Sequence, residues 1–176
     1  MIRNKIYKSL LPYFSSKRVH IGLDEATALG THQTKEACDK YGIAKVFIDW
    51  LKKLTDLCEK EYGKSVMFWS DMLRTYPEAY PDLPKTAVPV AWGYEDMANQ
   101  LRERELCNLK ANNIEKFYVT PSTQTYDCFT GRFDSADMNL RVWAEMGQDY
   151  GAYGYLVSHW ANPTGISNTV WAYPAT

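Results

Sequence analysis

Arg18–Gly30 reads RVHIGLDEATALG. Val19, Ile21 and Leu23 alternate with His20 and Gly22, the period-two pattern of a strand over 18–23. Two adjacent carboxylates, Asp24 and Glu25, follow, and the chain then turns toward Gly30. In parallel α/β proteins chemistry is carried out at the carboxyl ends of the strands, so a strand that ends in acids marks a candidate site.

Working outward, residues 2–13 read as the end of a helix. Ile6, Leu10 and Leu11 lie on one side, and Pro12 and the Ser15-Ser16 pair close it. Beyond the acids, Thr27 to Lys40 reads as a polar loop. Ile43, Phe47, Trp50, Leu51, Leu54, Leu57 and Cys58 then recur at three- and four-residue steps, which predicts a helix ended by Gly63. The apolar run SVMFWS (65–70) reads as a buried strand with Asp71 just past its end. A Pro- and Tyr-rich loop, 75–86, leads to AVPVAW (87–92), a strand in which Pro89 removes a ladder donor.

The pattern continues with a polar helix over 95–112, whose sparse apolar side is Met97, Leu101 and Leu109. Strand FYVT (117–120) follows, then a loop over 121–133 carrying Tyr126, Asp127 and Arg132. Asp134 or Ser135 is placed to cap a helix with Met138, Val142, Trp143 and Met146 on its apolar side. GYLVSH (154–159) is the last strand, with Trp160 and Asn162 after it. Strand–helix alternation of this kind implies a parallel sheet. Acids or aromatics follow most strand ends, and parallel strands would gather them on one rim. The expected fold is α/β, a partial (β/α)8 TIM barrel of about five parallel strands, because a closed barrel needs eight strands.

The 176 residues fit one domain, residues 1–176, with a sizeable core. A net charge of −1 without a basic patch argues against nucleic acid as a partner. No apolar run is long enough to span a bilayer, and the N-terminus lacks a signal-peptide pattern. Six Trp and thirteen Tyr supply flat apolar faces with one polar edge each, suited either to a core or to sugar rings. Cys38, Cys58, Cys107 and Cys128 form no C-x-x-C pair, which points to reduced thiols and a cytoplasmic setting.

At VHIGLDEA the chain resembles family 20 glycoside hydrolases, the β-N-acetylhexosaminidases, whose signature is a His-x-Gly-x-Asp-Glu strand end. The segments LLPYFSSKRVHIGLDEATALG, FWSDM, AWGY, PSTQTYDCFTGR and GYLVSHW resemble the hexosaminidase D-like branch in order and spacing. The resemblance implies that the chain corresponds to strands four to eight of that barrel, with the N-terminal strands missing. It implies removal of terminal β-linked GlcNAc or GalNAc by substrate-assisted retaining catalysis, without cofactor or metal. It assigns Glu25 as general acid/base and Asp24 as the group that polarises the acetamido N–H. Trp69, Trp92, Tyr94, Tyr126 and Trp160 would wall the sugar. The family usually has Trp where Tyr126 stands, and Gly followed by an acid where Ala161-Asn162 follows Trp160. Asn162 would hydrogen-bond a sugar hydroxyl without a charge.

Other readings stay open. The chain would also fit a non-catalytic sugar-binding fragment, or one that self-associates or needs the missing N-terminal half. A metal hydrolase using His20, Asp24, Glu25 and His32 matches no strong spacing motif. His20 and His159 read as structural, His32 as solvated, Asp71 as a hydroxyl ligand or a loop cap, and Arg132 as a loop anchor or a solvated side chain. A general acid needs a raised pKa, which burial beside Trp would give Glu25.

Overall fold

The computed structural model describes residues 2–94, 100–126, 128 and 131–160. Met97, Asp127, Asn162 and the side chain of Leu101 lie outside the described residues. In chain order the elements are α1 (Ile2–Leu10), β1 (Arg18–His20), α2 (Lys35–Tyr41), α3 (Ile43–Tyr62), β2 (Ser65–Trp69), α4 (Asp71–Thr75), β3 (Val88–Trp92), α5 (Gln100–Ala111), β4 (Tyr118–Thr120), α6 (Phe133–Asp149) and β5 (Gly154–Tyr155).

The strands form one parallel sheet in the order β1-β2-β3-β4-β5. Spatial order follows chain order, as in a barrel; a doubly wound sheet would reverse direction at its middle. The sheet curls through 188°. Over four strand-to-strand steps that is about 47° each, close to the eighth of a circle that each strand occupies in a (β/α)8 barrel. The fold is a half-barrel, as the strand–helix alternation predicts.

Period two sorts the strand side chains onto two faces. Val66 and Phe68 of β2, Ala91 of β3 and Val119 of β4 join the main core with Phe47, Ile48 and Leu51 of α3. Leu106 and Leu109 of α5 and Trp143 and Met146 of α6 complete the helix side of that core. Met67, Val90 and Tyr118 form a separate cluster, against which Trp69 packs. Trp69 therefore belongs to the inner wall. Arg18 of β1 donates hydrogen bonds to the hydroxyls of Tyr118 and Tyr153, linking the first strand to the far side of the sheet. Gly147 permits the close approach of α6 to β4: a Cβ there would lie 2.8 Å from Val119 Cγ2.

Pro89 sits centrally in β3, yet β4 begins pairing only at Val90. The proline thus lies where β3 has one paired neighbour, which is how the sheet accommodates the missing donor.

Several boundaries differ from the sequence reading. The first strand ends at His20 rather than Leu23, because Gly22 and Leu23 take positive φ (76° and 79°) and turn the chain away. The last strand is Gly154–Tyr155, followed by a single bridge between Ser122 and Ser158. The polar stretch 27–40 contains the start of α2, whose one buried side chain is Cys38. One apolar anchor in seven residues gives no period to detect. The 75–86 loop holds a 3₁₀ helix, Pro77–Asp82, which buries Ala79 and Tyr80. Helix α6 begins at Phe133 after Arg132, with no side-chain cap, so neither Asp134 nor Ser135 caps it. Its Met138 is exposed, whereas Ala136 and Asn139 are buried.

The apolar side expected for α1 is largely open: Ile6 and Leu10 are exposed and Leu11 alone of the three is buried. At the opposite flank Tyr153, Tyr155, Leu156 and Val157 are exposed along β5. Among the described residues, the strands at these flanks, β1 and β5, each have a partner on one side only.

Gly63 ends α3 in the left-handed region (φ 60°), and its N–H and that of Lys64 return to the carbonyls of Glu59 and Cys58. A Cβ at this position would meet no atom within 4 Å, so only backbone strain opposes a substitution. Gly63→Ala should therefore destabilise by about 1 kcal/mol, measured as a lower urea midpoint at unchanged slope.

Candidate functional site

The run Gly22–Glu25 decides where the acids go. Ladder bonds persist past β1, from Ile21 N–H to Met67 carbonyl (2.9 Å) and from Trp69 N–H to Gly22 carbonyl (3.0 Å). The backbone then enters the left-handed region at Gly22, Leu23 and Glu25 (φ 76°, 79° and 45°). The acids thus sit on a turn beyond the strand, not on alternating faces of its end. Left-handed geometry at a residue with a Cβ costs roughly 1–2 kcal/mol. At Glu25 it is offset by a charge-assisted hydrogen bond: the Glu25 N–H donates to Asp71 Oδ2 at 2.8 Å. Such bonds contribute about 1.5–3 kcal/mol, enough to hold the turn.

A cleft of about 380 Å³ opens at this end of the sheet, lined by Asp24, Glu25, Trp69, Trp92, Tyr94, Tyr126 and Trp160. That volume falls in the range of small-ligand sites. Every lining residue follows or ends a strand, so parallel pairing alone places them on one rim. All of the expected site residues except Asn162, which lies outside the described residues, are brought together here. A larger hollow of about 850 Å³ opens at the other end of the strands, bordered by Arg18, Ser65 and Val88. Barrel enzymes use the carboxyl-terminal end, so the smaller cleft is the candidate.

The aromatic wall is continuous. Ring centroids are 6.4 Å apart for Trp69 and Trp160, 5.1 Å for Trp92 and Tyr94, and 5.7 Å for Tyr94 and Tyr126. The Trp160 indole N–H donates to the Tyr94 hydroxyl, which also lies 3.3 Å from Ser158 Oγ. Burial holds the Tyr94 phenol above its ordinary pKa, and the charge of Asp24 adds to that effect. Gln124 donates from Nε2 to the Tyr94 carbonyl and accepts from the Tyr126 hydroxyl at 3.2 Å, tying the two loops together. Arg132 donates to the Tyr126 carbonyl (3.1 Å) and lies 4.8 Å from the centroid of its ring. It therefore anchors its loop through Tyr126.

Asp24 is half-buried and Glu25 is exposed. The expected burial of Glu25 beside Trp is thus not met. Among the described residues β1 is the outermost strand, so no described strand covers one side of the turn that carries Glu25.

Sequence reasoning missed the buried charge behind the wall. Glu105 of α5 is fully buried, accepts from Ser70 Oγ at 2.7 Å and pairs with Arg74 Nη1 at 3.1 Å. Burial raises the Glu105 pKa, with Arg74 opposing the shift. The Arg74 guanidinium lies 5.7 Å from the Trp92 ring centroid. A buried acid within a polar helix carries no distinctive local pattern; only its i, i+4 relation to Leu109 marks the inward face.

His20 and His159 are each held by protein hydrogen bonds. His159 Nδ1 lies 3.0 Å from both Thr123 Oγ1 and Thr125 Oγ1. His20 packs on Trp69 (centroids 4.4 Å apart), and its Nδ1 accepts from the Gly22 N–H at 3.1 Å. Desolvation against the indole lowers the His20 pKa to about 4. The accepted hydrogen bond also requires an unprotonated Nδ1. The sign follows from linkage: below pH about 6.5 the unfolded chain binds a proton that the folded chain refuses until about pH 4. His20 thus contributes stability that is complete above pH 6.5 and lost as pH falls toward 4. The ring keeps an exposed edge, so the slope is shallower than for full burial. Urea midpoints from pH 7 to 4.5 should fall more steeply for the wild type than for His20→Gln.

His32 is exposed in its loop. Among the described residues, no three His, Cys, Asp or Glu side chains are grouped to hold a metal ion. Among them, too, no helix is long and apolar enough to cross a membrane. The chain matches no protein-family model, and the search of curated proteins finds no match.

Proposed function

We propose that the chain is a glycoside hydrolase that removes terminal β-linked N-acetylhexosamine by substrate-assisted, retaining catalysis. The observation that carries this reading is the cleft itself: two adjacent acids below a wall of three Trp and two Tyr, on the chemically active rim of a half-barrel. Indole and phenol faces suit the C–H face of a sugar and an acetamido methyl, and two carboxylates suffice for the proton and for the amide.

In this mechanism Glu25, protonated, gives its proton to the glycosidic oxygen as the C1–O bond breaks. The substrate's acetamido carbonyl oxygen attacks C1 from the opposite face and forms an oxazolinium ion. Asp24 accepts the amide N–H hydrogen bond and balances the positive charge. Water then attacks C1 while the Glu25 carboxylate takes its proton, and two inversions give net retention. The free state of all four cysteines fits a reducing, cytoplasmic setting. The test is release of the aryl alcohol from an aryl N-acetyl-β-glucosaminide and its galactosaminide counterpart. Turnover of either supports the reading; turnover of neither by a folded protein rejects it.

A second reading is favoured by the open flanks. Ile6, Leu10, Tyr13 and Phe14 at one, and Tyr153, Leu156 and Val157 at the other, expose apolar surface beside strand edges that are unpaired among the described residues. A sugar-binding or partner-dependent barrel fragment has this form. Light scattering after size-exclusion chromatography separates the two: an active monomer supports the self-sufficient hydrolase. A higher species that alone binds N-acetylglucosamine supports the fragment.

A further inference from the structure

We infer that Asp71 is a positioning residue for the proposed hydrolysis, a single buried carboxylate that fixes the backbone of Glu25 and the indole of Trp92 together. The inference rests on the reading of Glu25 as proton donor. Asp71 is 5% exposed, at the first position of α4. Its Oδ2 accepts from the Glu25 N–H (2.8 Å) and its Oδ1 from Trp92 Nε1–H (3.1 Å).

Each alternative role is weaker. The sequence left Asp71 as a hydroxyl ligand or a loop cap. Asp71 is 5% exposed, does not line the cleft, and has each carboxylate oxygen engaged by a protein donor. Nor is it spent on its own helix: both oxygens point to partners on β1's turn and at the end of β3. The main chain of Asp71 is held separately, by Thr75 Oγ1 donating to its carbonyl at 3.1 Å.

What the clamp achieves follows from the turn it holds. Glu25 has φ 45°, so its side-chain direction depends on a backbone conformation that relaxes readily if released. Trp92 is the neighbour of Tyr94 in the aromatic wall. Asp71 thereby sets the acid and part of the wall against one another across two strands that are not adjacent, β1 and β3. Arg74, one turn along α4, backs the same indole and is itself pinned by Glu105. A displacement of about 1 Å in a proton donor lowers rates by roughly 10²-fold, the effect expected when the clamp is cut.

The experiment compares Asp71→Asn with the wild type, reading kcat, KM and the ¹H–¹⁵N resonances of the Glu25 amide and the Trp92 indole. Asparagine keeps the shape but turns an N–H₂ toward one of the two donors. The expected result is a kcat about 10²-fold lower, a KM within about threefold of wild type, and movement of both resonances. A raised KM at unchanged kcat, or an unchanged kcat with both resonances moved, overturns the inference. If the wild type turns over no N-acetylhexosaminide, the hydrolase reading fails by itself, and the two resonances still decide the clamp. Should Asp71→Asn not fold, Trp92→Phe removes one donor alone and should still move the Glu25 amide; a fixed amide overturns the shared clamp.

Discussion

Glu25→Gln is expected to lower kcat on an aryl N-acetyl-β-glucosaminide by about 10³-fold, with KM changed only a few-fold. General acid–base groups contribute about 10²–10⁴ in rate, and glutamine keeps the volume and polarity of the side chain while holding no transferable proton. Glu25 is exposed, so the variant should unfold at the same temperature as the wild type. Its backbone N–H still reaches Asp71, because that bond does not involve the side chain. Loss of rate is thus separable from loss of structure. An equally active Glu25→Gln protein would move the proton donor elsewhere in the cleft.

Trp143→Ala is expected to cost about 3–5 kcal/mol, the range for truncating a large buried aromatic. Trp143 is 1% exposed and is the largest of the fully buried side chains among the described residues. It stands in the core between α6 and the sheet, where Gly147 one turn on allows close contact with Val119. For a chain of this length the loss corresponds to a melting temperature lower by roughly 10 °C. Met138→Ala, on the exposed side of the same helix, should stay within about 0.5 kcal/mol of wild type. Similar midpoints for the two variants would mean that α6 does not pack on the sheet through Trp143.

The reasons these two helical positions differ show what a linear pattern carries. Trp143 and Met138 both fit an apolar period, and the period cannot tell a helix side packed on the sheet from one left open. Helix α3 was legible because Phe47, Leu51, Leu54 and Cys58 repeat over twenty residues and Gly63 terminates them. Helix α2 was not, with Cys38 as its one buried side chain. The parallel strand order, and with it the shared rim of Asp24, Glu25, Trp69, Trp92, Tyr94, Tyr126 and Trp160, follows from strand–helix alternation.

Contacts between distant strand ends are another matter. The two-pronged reach of Asp71 and the buried Glu105–Arg74 pair join residues 21 to 46 positions apart. Each is set by how far the sheet curls, which no local period encodes. The exposure of Glu25 is likewise tertiary, since it depends on β1 being the outermost of the described strands.

The central claim is that the substrate's own amide attacks C1 while Asp24 and Glu25 serve it. The most direct measurement compares kcat/KM for aryl N-acetyl-β-glucosaminides whose 2-acetamido group carries zero, one, two or three fluorines on its methyl. Fluorine withdraws electrons from the carbonyl oxygen, so each added atom should slow the enzyme, with the trifluoro substrate lowest by orders of magnitude. Rates independent of fluorine number would contradict the account, because an enzyme carboxylate, not the amide, would then be the nucleophile.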